Sequence, residues 1–580
     1  MKKTHRAAAL FTALCLALGL AACGSDRGAG TADPSPSASP SASPSPSPSP
    51  TQTAQRSPGE VSVALFSQPQ TLDPALVDGP DSIALCSHLF EGLMRWEDSG
   101  REAPGGQHMA RLAAGQAERY EKTVAEDGKV TYTFTLREDA KWSDGEPVTA
   151  QDFVTSWRRL ANSQGSSAYS YLLGDVVNAT QIAAGAASYD QLGVSAPDER
   201  TFVVELEQES LDFLEVCAHP ATAPLRLDVL QKEDTQWSTN PRQWVSNGPY
   251  ILDDWTSNGT IKLIPNRHYS PELDGPSAIL FQSMSSDEAA LSALQAGSID
   301  FSRRAPAAPE DKEALVQSGV LRNTDYAGVY YLTYQTGSAP FDDPQVRRAF
   351  TLALDRAALA ALDPAGGSPA GGLVPNGVYS SNEPPEEDFR TQAGDYYSTD
   401  PEALEENRAQ ARELLAQAGY PQGKDFPKVT YLYNKGEVHQ AVAQAMKEMW
   451  EEALGVQVEL QEEAWDNYLH LISHGEFTIA KAAWTADRND PADFLSLCDP
   501  SAAQGWYKND DLGQLLTRAG QTDGDARNRL LLQAENLLLG RDWAVCPLYF
   551  YTSRYLISSA LEGVYLTPTG NYYFTTAVRK

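Results

Sequence analysis

Proline and serine alternate through residues 34–50 (PSPSASPSASPSPSPSP), and this tract limits where folding can begin. It contains no hydrophobic residue larger than alanine, so it has nothing to bury in a core. Proline also restricts φ, which favours an extended, polyproline-II-like chain. We therefore expect a linker here rather than a domain. A fold can start only at about residue 58, which leaves most of the 580 residues for the folded body.

The residues before this tract are typical of a secretory leader. Basic residues without acids open the chain, and an apolar run follows over residues 7–22. A membrane span needs about 20 apolar residues, so this shorter run favours a signal peptide. It ends at Leu-Ala-Ala-Cys-Gly, which resembles the bacterial lipobox, in which the cysteine is lipidated. We expect a lipoprotein signal over residues 1–22, lipidation of Cys23, and a lipid-anchored linker over residues 23–57. Ordinary cleavage near Ala22 is the alternative.

The charge of the chain excludes two classes of partner. The chain has 45 Lys and Arg against 77 Asp and Glu, a formal net charge of −32. Nucleic-acid binding requires a basic surface, and anionic lipids would repel this protein. We expect no nucleic-acid partner, and contact with the membrane only through the lipid anchor. The protein should lie outside the cell membrane, on its outer face, as a monomer.

The body retains four cysteines in this oxidising environment. They are Cys86, Cys217, Cys498 and Cys546. Three pairings are possible, and their spacing lacks the C-x-x-C pattern of metal or redox sites. One or two disulfides, or buried free thiols, all agree with the sequence.

Short apolar runs alternate with amphipathic helical stretches through the body. Residues 131–136 (TYTFTL) follow the turn signal Asp127-Gly128 and predict half of a hairpin, and residues 201–206 predict a similar strand. Residues 400–419 predict a helix that ends at a glycine, and residues 530–539 predict another. Since one core rarely grows beyond about 250–300 residues, this α/β body should form two lobes.

Motifs for catalysis are missing from the sequence. It has no G-x-S-x-G, P-loop or H-E-x-x-H pattern. His470 and His474 have the i, i+4 spacing that places two imidazoles on one helix face, but no third ligand motif lies nearby. We interpret this pair as an exposed helix face, and we predict no enzyme activity, no cofactor and no metal.

A ligand-binding site is better supported. Eleven tryptophans and 25 tyrosines can line a cleft. One cluster, residues 484–495 (WTADRNDPADFL), joins an aromatic residue, a carboxylate and turn residues directly after an apolar strand predicted over residues 477–483. Because side chains at strand ends can point into a cleft, we predict a binding site at this cluster.

Residues 484–491 resemble the W-x-A-D-Y-x-D-P element of the oligopeptide-binding proteins in bacterial extracellular solute-binding protein family 5. Residues 134–157 (FTLREDAKWSDGEPVTAQDFVTSW) are the most specific further match. Other matching segments, in chain order, are residues 70–74 (QTLDP), 89–93 (LFEGL), 247–250 (NGPY), 296–300 (AGSID) and 340–356 (PFDDPQVRRAFTLALDR). The resemblance therefore covers nearly the whole body.

The resemblance implies an α/β, two-lobed periplasmic-binding-protein type II fold (cluster C) with an extra small α+β domain. Lobe I would comprise residues 58–90, 198–327 and 555–580. The extra domain would be residues 91–197, and lobe II residues 328–554. Ligand would be buried when the lobes close about a hinge.

By this resemblance, Asp487 corresponds to the carboxylate that pairs with the free α-ammonium of a bound peptide. A charge-assisted hydrogen bond of this kind contributes about 1.5–3 kcal/mol, so a free N-terminus would be selected. The remaining implied ligand residues are Tyr331, Asn247 and Gly248 for the peptide main chain, Trp465, Trp484 and Tyr171 (or its neighbour Tyr169) as cleft aromatics, and Asp78 near basic groups.

The sequence departs from the family pattern at several of these positions. Arg488 replaces the tyrosine that follows the aspartate, which puts a cation near the site. Gly328 and Thr485 stand where some relatives carry a bridging cysteine pair. His439 and Lys481 match positive positions that some relatives use for peptide carboxylates.

The function implied is that of the extracytoplasmic substrate-binding subunit of an ABC importer. It would capture short peptides with a free N-terminus and deliver them to a permease driven by an ATPase. One alternative is the same fold with a non-peptide solute, such as a metal chelate, haem or sugar. Another is a peptide-sensing lipoprotein that feeds no transporter.

Overall fold

The computed structural model describes residues 59–580, apart from residues 104–106, 164–165, 209, 211, 232–234, 257–258, 271–272, 380–387, 487–488, 500–505, 523 and 568. The predicted signal peptide, Cys23 and the Ser/Pro-rich linker lie outside the described residues.

Strands and helices alternate along the described chain, as the apolar pattern predicts. The strands are β1 (Glu60–Leu65), β2 (Met94–Ala103), β3 (Gln107–Ala114), β4 (Ala117–Val124), β5 (Val130–Leu136), β6 (Val194–Ser195), β7 (Thr201–Leu206), β8 (Tyr250–Trp255), β9 (Thr260–Pro265), β10 (Ala278–Ser283), β11 (Phe301–Ser302), β12 (Leu321–Tyr334), β13 (Ser368–Pro369), β14 (Val429–Asn434), β15 (Val458–Glu463), β16 (Ile479–Thr485), β17 (Val545–Ile557), β18 (Leu561–Glu562), β19 (Tyr565–Leu566), β20 (Tyr572–Tyr573) and β21 (Val578–Arg579). The α-helices are α1 (Pro80–Leu89), α2 (Ala150–Ala161), α3 (Ala179–Ala183), α4 (Phe213–Val216), α5 (Leu227–Leu230), α6 (Asp287–Gln295), α7 (Lys312–Gln317), α8 (Pro344–Leu352), α9 (Arg356–Ala360), α10 (Phe389–Ala393), α11 (Leu404–Gln417), α12 (Glu437–Leu454), α13 (Trp465–His474), α14 (Pro491–Leu495), α15 (Asp510–Ala519) and α16 (Gly524–Asn536).

One mixed sheet runs through the described body. Its strand order is β15-β14-β16-β12-β17-β11-β1-β10-β9-β8, and β13 pairs with β17. The long strands β12 and β17 join the two halves of this sheet. They pair antiparallel, with register shifts between Asp325 and Val329 and between Tyr330 and Tyr331. The connection between the halves is therefore a pair of adjacent strands whose ladder is interrupted twice.

Two four-stranded sheets stand apart from the main sheet, in the orders β2-β3-β19-β20 and β4-β5-β7-β6. The predicted hairpin is confirmed: β4 pairs antiparallel with β5 from Val124 opposite Val130, and Gly128 in the turn has a φ of 88°. Strand β7 covers the predicted residues 201–206.

The two helix predictions are also confirmed. A 3-10 turn over Pro401–Ala403 leads into α11, which ends just before Gly419 with a φ of 98°. Helix α16 covers the start of the predicted segment 530–539, and a π-helical turn over Leu537–Arg541 follows it.

Three large clusters of buried side chains form the cores. One cluster draws on β1, α1, β5, α2 and β8–β10, and also on the C-terminal residues from Tyr555 to Ala577. The other two are built from residues between Ala327 and Phe550. The exact boundaries of the lobes and the extra domain stay a prediction.

All four cysteines of the body are free and buried. Burial raises the pKa of each thiol, which keeps the thiols protonated. Of the alternatives that the sequence left open, the structure therefore has buried free thiols.

Candidate functional site

Trp484 lies within β16 rather than after it. The strand was predicted over residues 477–483, but pairing with β12 continues to Trp484 opposite Val329 and to Thr485. The indole Nε1 of Trp484 donates a hydrogen bond of 2.8 Å to Oδ2 of Asp493 in α14. Strand and helix together therefore fix the orientation of this half-buried ring.

Ala486 and Asn489, on either side of Asp487 and Arg488, are each hydrogen-bonded to a distant part of the chain. Asp487 and Arg488, which carry the main ligand prediction, lie outside the described residues. Before them, the Ala486 N–H donates to the carbonyl of Ala327 at 2.7 Å. After them, Oδ1 of Asn489 accepts a bond of 3.2 Å from the Tyr379 N–H.

Tyr331 lies on β12 opposite Ala482 of β16, one strand from Trp484. It is buried in the cluster that also contains Phe494 and Leu495. Burial raises the pKa of its phenol well above the ordinary value, so the group remains a neutral hydroxyl.

Gly328 and Thr485 face each other directly across β12 and β16. Pairing at the positions where some relatives carry a cysteine bridge therefore agrees with the register of the sheet. A Cβ at Gly328 would lie 2.6 Å from Cδ2 of Tyr551, so the ring of Tyr551 fills the space that a side chain would need.

A buried cation lies farther back along β16. Lys481 is only 6% exposed, and its Nζ donates a bond of 2.9 Å to Oδ1 of Asn434. The ammonium also lies 5.5 Å and 5.9 Å from the ring centroids of Tyr330 and Tyr468. Aromatic faces attract a cation through their quadrupole, so the two rings help to hold this charge in place.

His439, the second position expected to be positive, is neutral near pH 7. Its ring lies 5.6 Å from that of Tyr330. Burial, followed by the charge of Lys481, lowers the pKa of His439 to about 4. Its Nδ1 is buried without a hydrogen-bond partner in the described structure. Of the two residues His439 and Lys481, Lys481 therefore carries the positive charge near pH 7.

Trp465 connects this corner with the surface. It is the first residue of α13 and is 42% exposed, and its ring stacks on Tyr468 at 5.5 Å. The Tyr468 hydroxyl donates a bond of 2.6 Å to the carbonyl of Lys481. Sequence reasoning missed Tyr468, although its i, i+3 spacing from Trp465 places both on one helix face.

Asn247 and Gly248 form a clasp around the residues that follow α1. The Asn247 side chain accepts a bond of 3.2 Å from the Glu91 N–H and donates one of 2.7 Å to the Glu91 carbonyl. The Gly248 N–H donates to the carbonyl of Leu89 at 2.9 Å. The structure thus shows bonds within the protein at these two residues, and their contact with a peptide main chain stays a prediction.

Asp78 and Tyr171 belong to a separate, exposed group. Tyr171 is 66% exposed, and its ring lies 6.5 Å from that of Tyr169. Tyr169 packs at 4.7 Å on His219. Burial, and then the neighbouring Tyr171 and Asp78, raises the pKa of Tyr169 to about 12. Tyr169 is therefore close enough to Asp78 to feel its charge, and the choice between the two tyrosines stays a prediction.

The paired histidines of α13 show no metal site. The rings of His470 and His474 lie 4.2 Å apart on an exposed face. Among the described residues, no cluster of three or more His, Cys, Asp or Glu side chains is arranged to hold a metal ion. None of the described helices is both long enough and apolar enough to cross a membrane.

Known proteins resemble this chain over most of its length. The family described as bacterial extracellular solute-binding proteins, family 5 Middle, matches residues 112–506. The oligopeptide-binding protein OppA of Bacillus subtilis (strain 168) is 30% identical over 530 residues, which cover 90% of this chain and 92% of that protein.

Two solved structures show the same architecture. One is the periplasmic murein tripeptide-binding protein MppA in its unliganded open form, with a TM-score of 0.77 and 29% sequence identity. The match covers 90% of this chain and 98% of the MppA chain. The other is Haemophilus influenzae OppA in complex with the peptide RPPGFSPFR, with a TM-score of 0.54 and 26% sequence identity. The match covers 90% of this chain and 99% of the OppA chain. The chain therefore belongs to the bacterial extracellular solute-binding proteins of family 5 and has their two-lobed type II fold.

Proposed function

We propose that this protein is the substrate-binding subunit of a peptide ABC importer, tethered outside the cell membrane by a lipid on Cys23. It captures short peptides with a free N-terminus and delivers them to a permease and its ATPase. Membership of family 5 supports this function, as do relatives named for binding oligopeptides and a murein tripeptide.

The observation that carries the proposal is the order of two opposite charges, Lys481 within β16 and Asp487 shortly after its end. The strand contains the buried cation Lys481, and the chain reaches the acid Asp487 six positions later. Six residues span at most about 20 Å when fully extended. An extended peptide has the same rise per residue, so a short peptide can place its carboxylate near one charge and its ammonium near the other. These charges occur in every unmodified peptide, which allows many side-chain sequences to bind.

The proposed closing movement uses the lobes defined by residues 58–90, 198–327 and 555–580 on one side and 328–554 on the other. The long strands β12 and β17 connect the two halves of the main sheet, and their ladder is interrupted between Asp325 and Val329. An interrupted ladder resists bending less than a continuous one, which supports a hinge at this point.

Calorimetric titration with tri- and tetrapeptides tests the role of Asp487. The wild-type protein should bind peptides with a free N-terminus, and Asp487→Asn or N-acetylation of the peptide should each weaken binding by about 30-fold or more. Removing one partner of a buried charge pair costs about 2–5 kcal/mol, which gives this range. Asp510→Asn, an exposed acid at the start of α15, is the matched control and should bind normally. Equal affinity for acetylated peptides would show that Asp487 does not recognise an ammonium.

The lipid anchor is tested separately in the full-length chain. Cys23→Ser should remove the lipidated side chain and shift the protein from the membrane fraction to the soluble fraction. Cys498→Ser, at a buried cysteine of the body, controls for the loss of a thiol. Retention of the Cys23→Ser protein in the membrane fraction would contradict lipidation at this residue.

Peptide uptake by cells distinguishes transport from sensing. Deleting the gene should abolish accumulation of a labelled tripeptide, and the wild-type copy should restore it. Unchanged uptake in the deleted strain, together with intact peptide binding, would favour a sensing lipoprotein. Native mass spectrometry of the purified protein would reveal a non-peptide solute if one copurifies.

A further inference from the structure

A buried ion pair lies beside the segment that carries the proposed ligand residues. Arg527 on α16 is 5% exposed and Asp490 is 6% exposed. Nη2 of Arg527 donates to both carboxylate oxygens of Asp490, at 2.8 Å and 2.7 Å. The pair joins residues 37 positions apart in the chain.

Asp490 connects this ion pair with the local structure around the site. Its Oδ1 accepts a bond of 2.8 Å from the Ala492 N–H, which caps α14 at its N-terminus. The same helix supplies Asp493, which holds the Trp484 indole. Asp490 is thus connected to Trp484 through the start of α14.

A buried charge is tolerated only when it is paired, so the position of Asp490 depends on Arg527. Without the guanidinium, the carboxylate must move towards water or take up a proton. Either change moves the start of α14, and with it Asp493 and the Trp484 indole that Asp493 holds. A binding site is weakened when the residues that support it shift by a fraction of an ångström.

We propose that Arg527 is a positioning residue for ligand binding, acting through Asp490 and α14 on the orientation of the Trp484 ring. This inference rests on the proposed function, because the binding of a peptide is its readout. Arg527 itself need not contact the ligand.

The same helix offers a matched control. Glu535 of α16 is fully buried and forms a second ion pair with Arg390, whose Nη1 and Nη2 each lie 2.8 Å from a carboxylate oxygen. Glu535 also accepts bonds from the N–H groups of Leu373 and Val374. Removing Arg390 therefore breaks an equally buried pair on α16 but leaves Asp490 paired.

The experiment compares Arg527→Met with Arg390→Met. Melting temperature and calorimetric affinity for a tripeptide with a free N-terminus are measured for each, with binding measured well below the melting temperature of each variant. Both variants should melt at lower temperature. Arg527→Met should bind about 10- to 100-fold more weakly, as is usual when a supporting residue is lost. Arg390→Met should lose less affinity than Arg527→Met, because it leaves the Arg527–Asp490 pair and the cap of α14 in place.

Two conservative variants keep the test decisive if Arg527→Met does not fold. Arg527→Lys retains the charge and should lose less affinity than Arg527→Met, and Asp490→Asn should lose affinity from the other side of the pair. Wild-type affinity in Asp490→Asn, or equal losses in Arg527→Met and Arg390→Met, would overturn the positioning role while leaving the proposed function intact. If the wild-type protein binds no peptide, both the proposed function and the positioning role of Arg527 are overturned.

Discussion

At the scale of single residues, Asn247 uses both ends of its side-chain amide within the protein. The amide pairs with the N–H and the carbonyl of Glu91, and Asn247 is fully buried. The Asn247 amide therefore makes the two hydrogen bonds that a neighbouring strand would otherwise make to the backbone of Glu91. It fixes the chain where it leaves α1.

Replacing Asn247 with leucine should lower the free energy of unfolding by about 2–4 kcal/mol. Leucine is similar in size but leaves two backbone groups of Glu91 buried and unpaired, and each unpaired group costs about 1–3 kcal/mol. Urea denaturation measures the change. Asn407, which donates a bond at an exposed site, provides the control, since Asn407→Ala should change stability by less than about 0.5 kcal/mol. Equal losses in the two variants would contradict the clasp.

Lys481 and His439 show why residue type alone does not define charge. Both match positive positions by resemblance, yet burial and Lys481 lower the pKa of His439 to about 4. The sequence identifies which residues are candidates, but the pKa of His439 on α12 depends on burial and on Lys481, which belongs to β16.

At the scale of elements, the end of α1 and the residues before β8 approach each other too closely for a side chain. A Cβ on Gly248 would lie 2.5 Å from the carbonyl carbon of Leu89 and 2.6 Å from the nitrogen of Phe90. Both atoms belong to the backbone, so they cannot move away as a flexible side chain could. Glycine is required at position 248 for this contact.

Gly248→Ala should therefore destabilise the protein by about 1–3 kcal/mol, the usual cost of overpacking. It should also lower peptide affinity if the clasp supports the binding cleft. Gly520→Ala is the control, because a Cβ there meets only ordinary contacts at 3.6 Å. Thermal melting of the two variants measures the difference. A Gly248→Ala protein as stable as Gly520→Ala would show that the two segments separate without cost.

Elements were predicted well where the signal is local. The strand over residues 201–206 and the hairpin after Gly128 follow from alternation and a turn, both of which are read from neighbours in sequence. The predicted end of β16, at residue 483, was two residues too early, because pairing with β12 extends the strand through Trp484 and Thr485. That partner lies about 150 residues away, and no local pattern reports it.

At the scale of the whole molecule, His88 joins α1 to the C-terminal segment. Its Nδ1–H donates to the Ala84 carbonyl at 2.7 Å, and its Nε2 accepts a bond of 3.0 Å from the N–H of Phe574, 486 positions away. A protonated ring could not accept this second bond. Burial accordingly lowers the pKa of His88 to about 4.

Stability should fall as the pH drops from about 6.5 to about 4. The unfolded chain takes up a proton on His88 near its ordinary pKa, while the folded chain resists until about pH 4. Stability is therefore complete above pH 6.5 and is lost on acidification, by about 3 kcal/mol at most for this residue. Burial also lowers the pKa of His219 to about 4, so His219 too should make the folded protein less stable as the pH falls.

Urea denaturation of wild type and His88→Gln between pH 7.5 and 4.5 measures this dependence. The variant should be less stable at pH 7.5, but its stability should fall less steeply on acidification, because it lacks the titrating ring. Parallel curves for the two proteins would show that His88 contributes nothing to the pH dependence.

The sequence by itself determined the α/β class and the family, and it predicts the division between linker and body. Each of these depends on composition, local periodicity or short motifs such as residues 484–491, which are present before the chain folds. Tertiary structure alone decided that four cysteines are free, that the Lys481 ammonium lies close to two tyrosine rings, and that Arg527 pairs with Asp490. The physical reason is that burial and charge pairing depend on which distant elements meet, and long-range packing selects those partners.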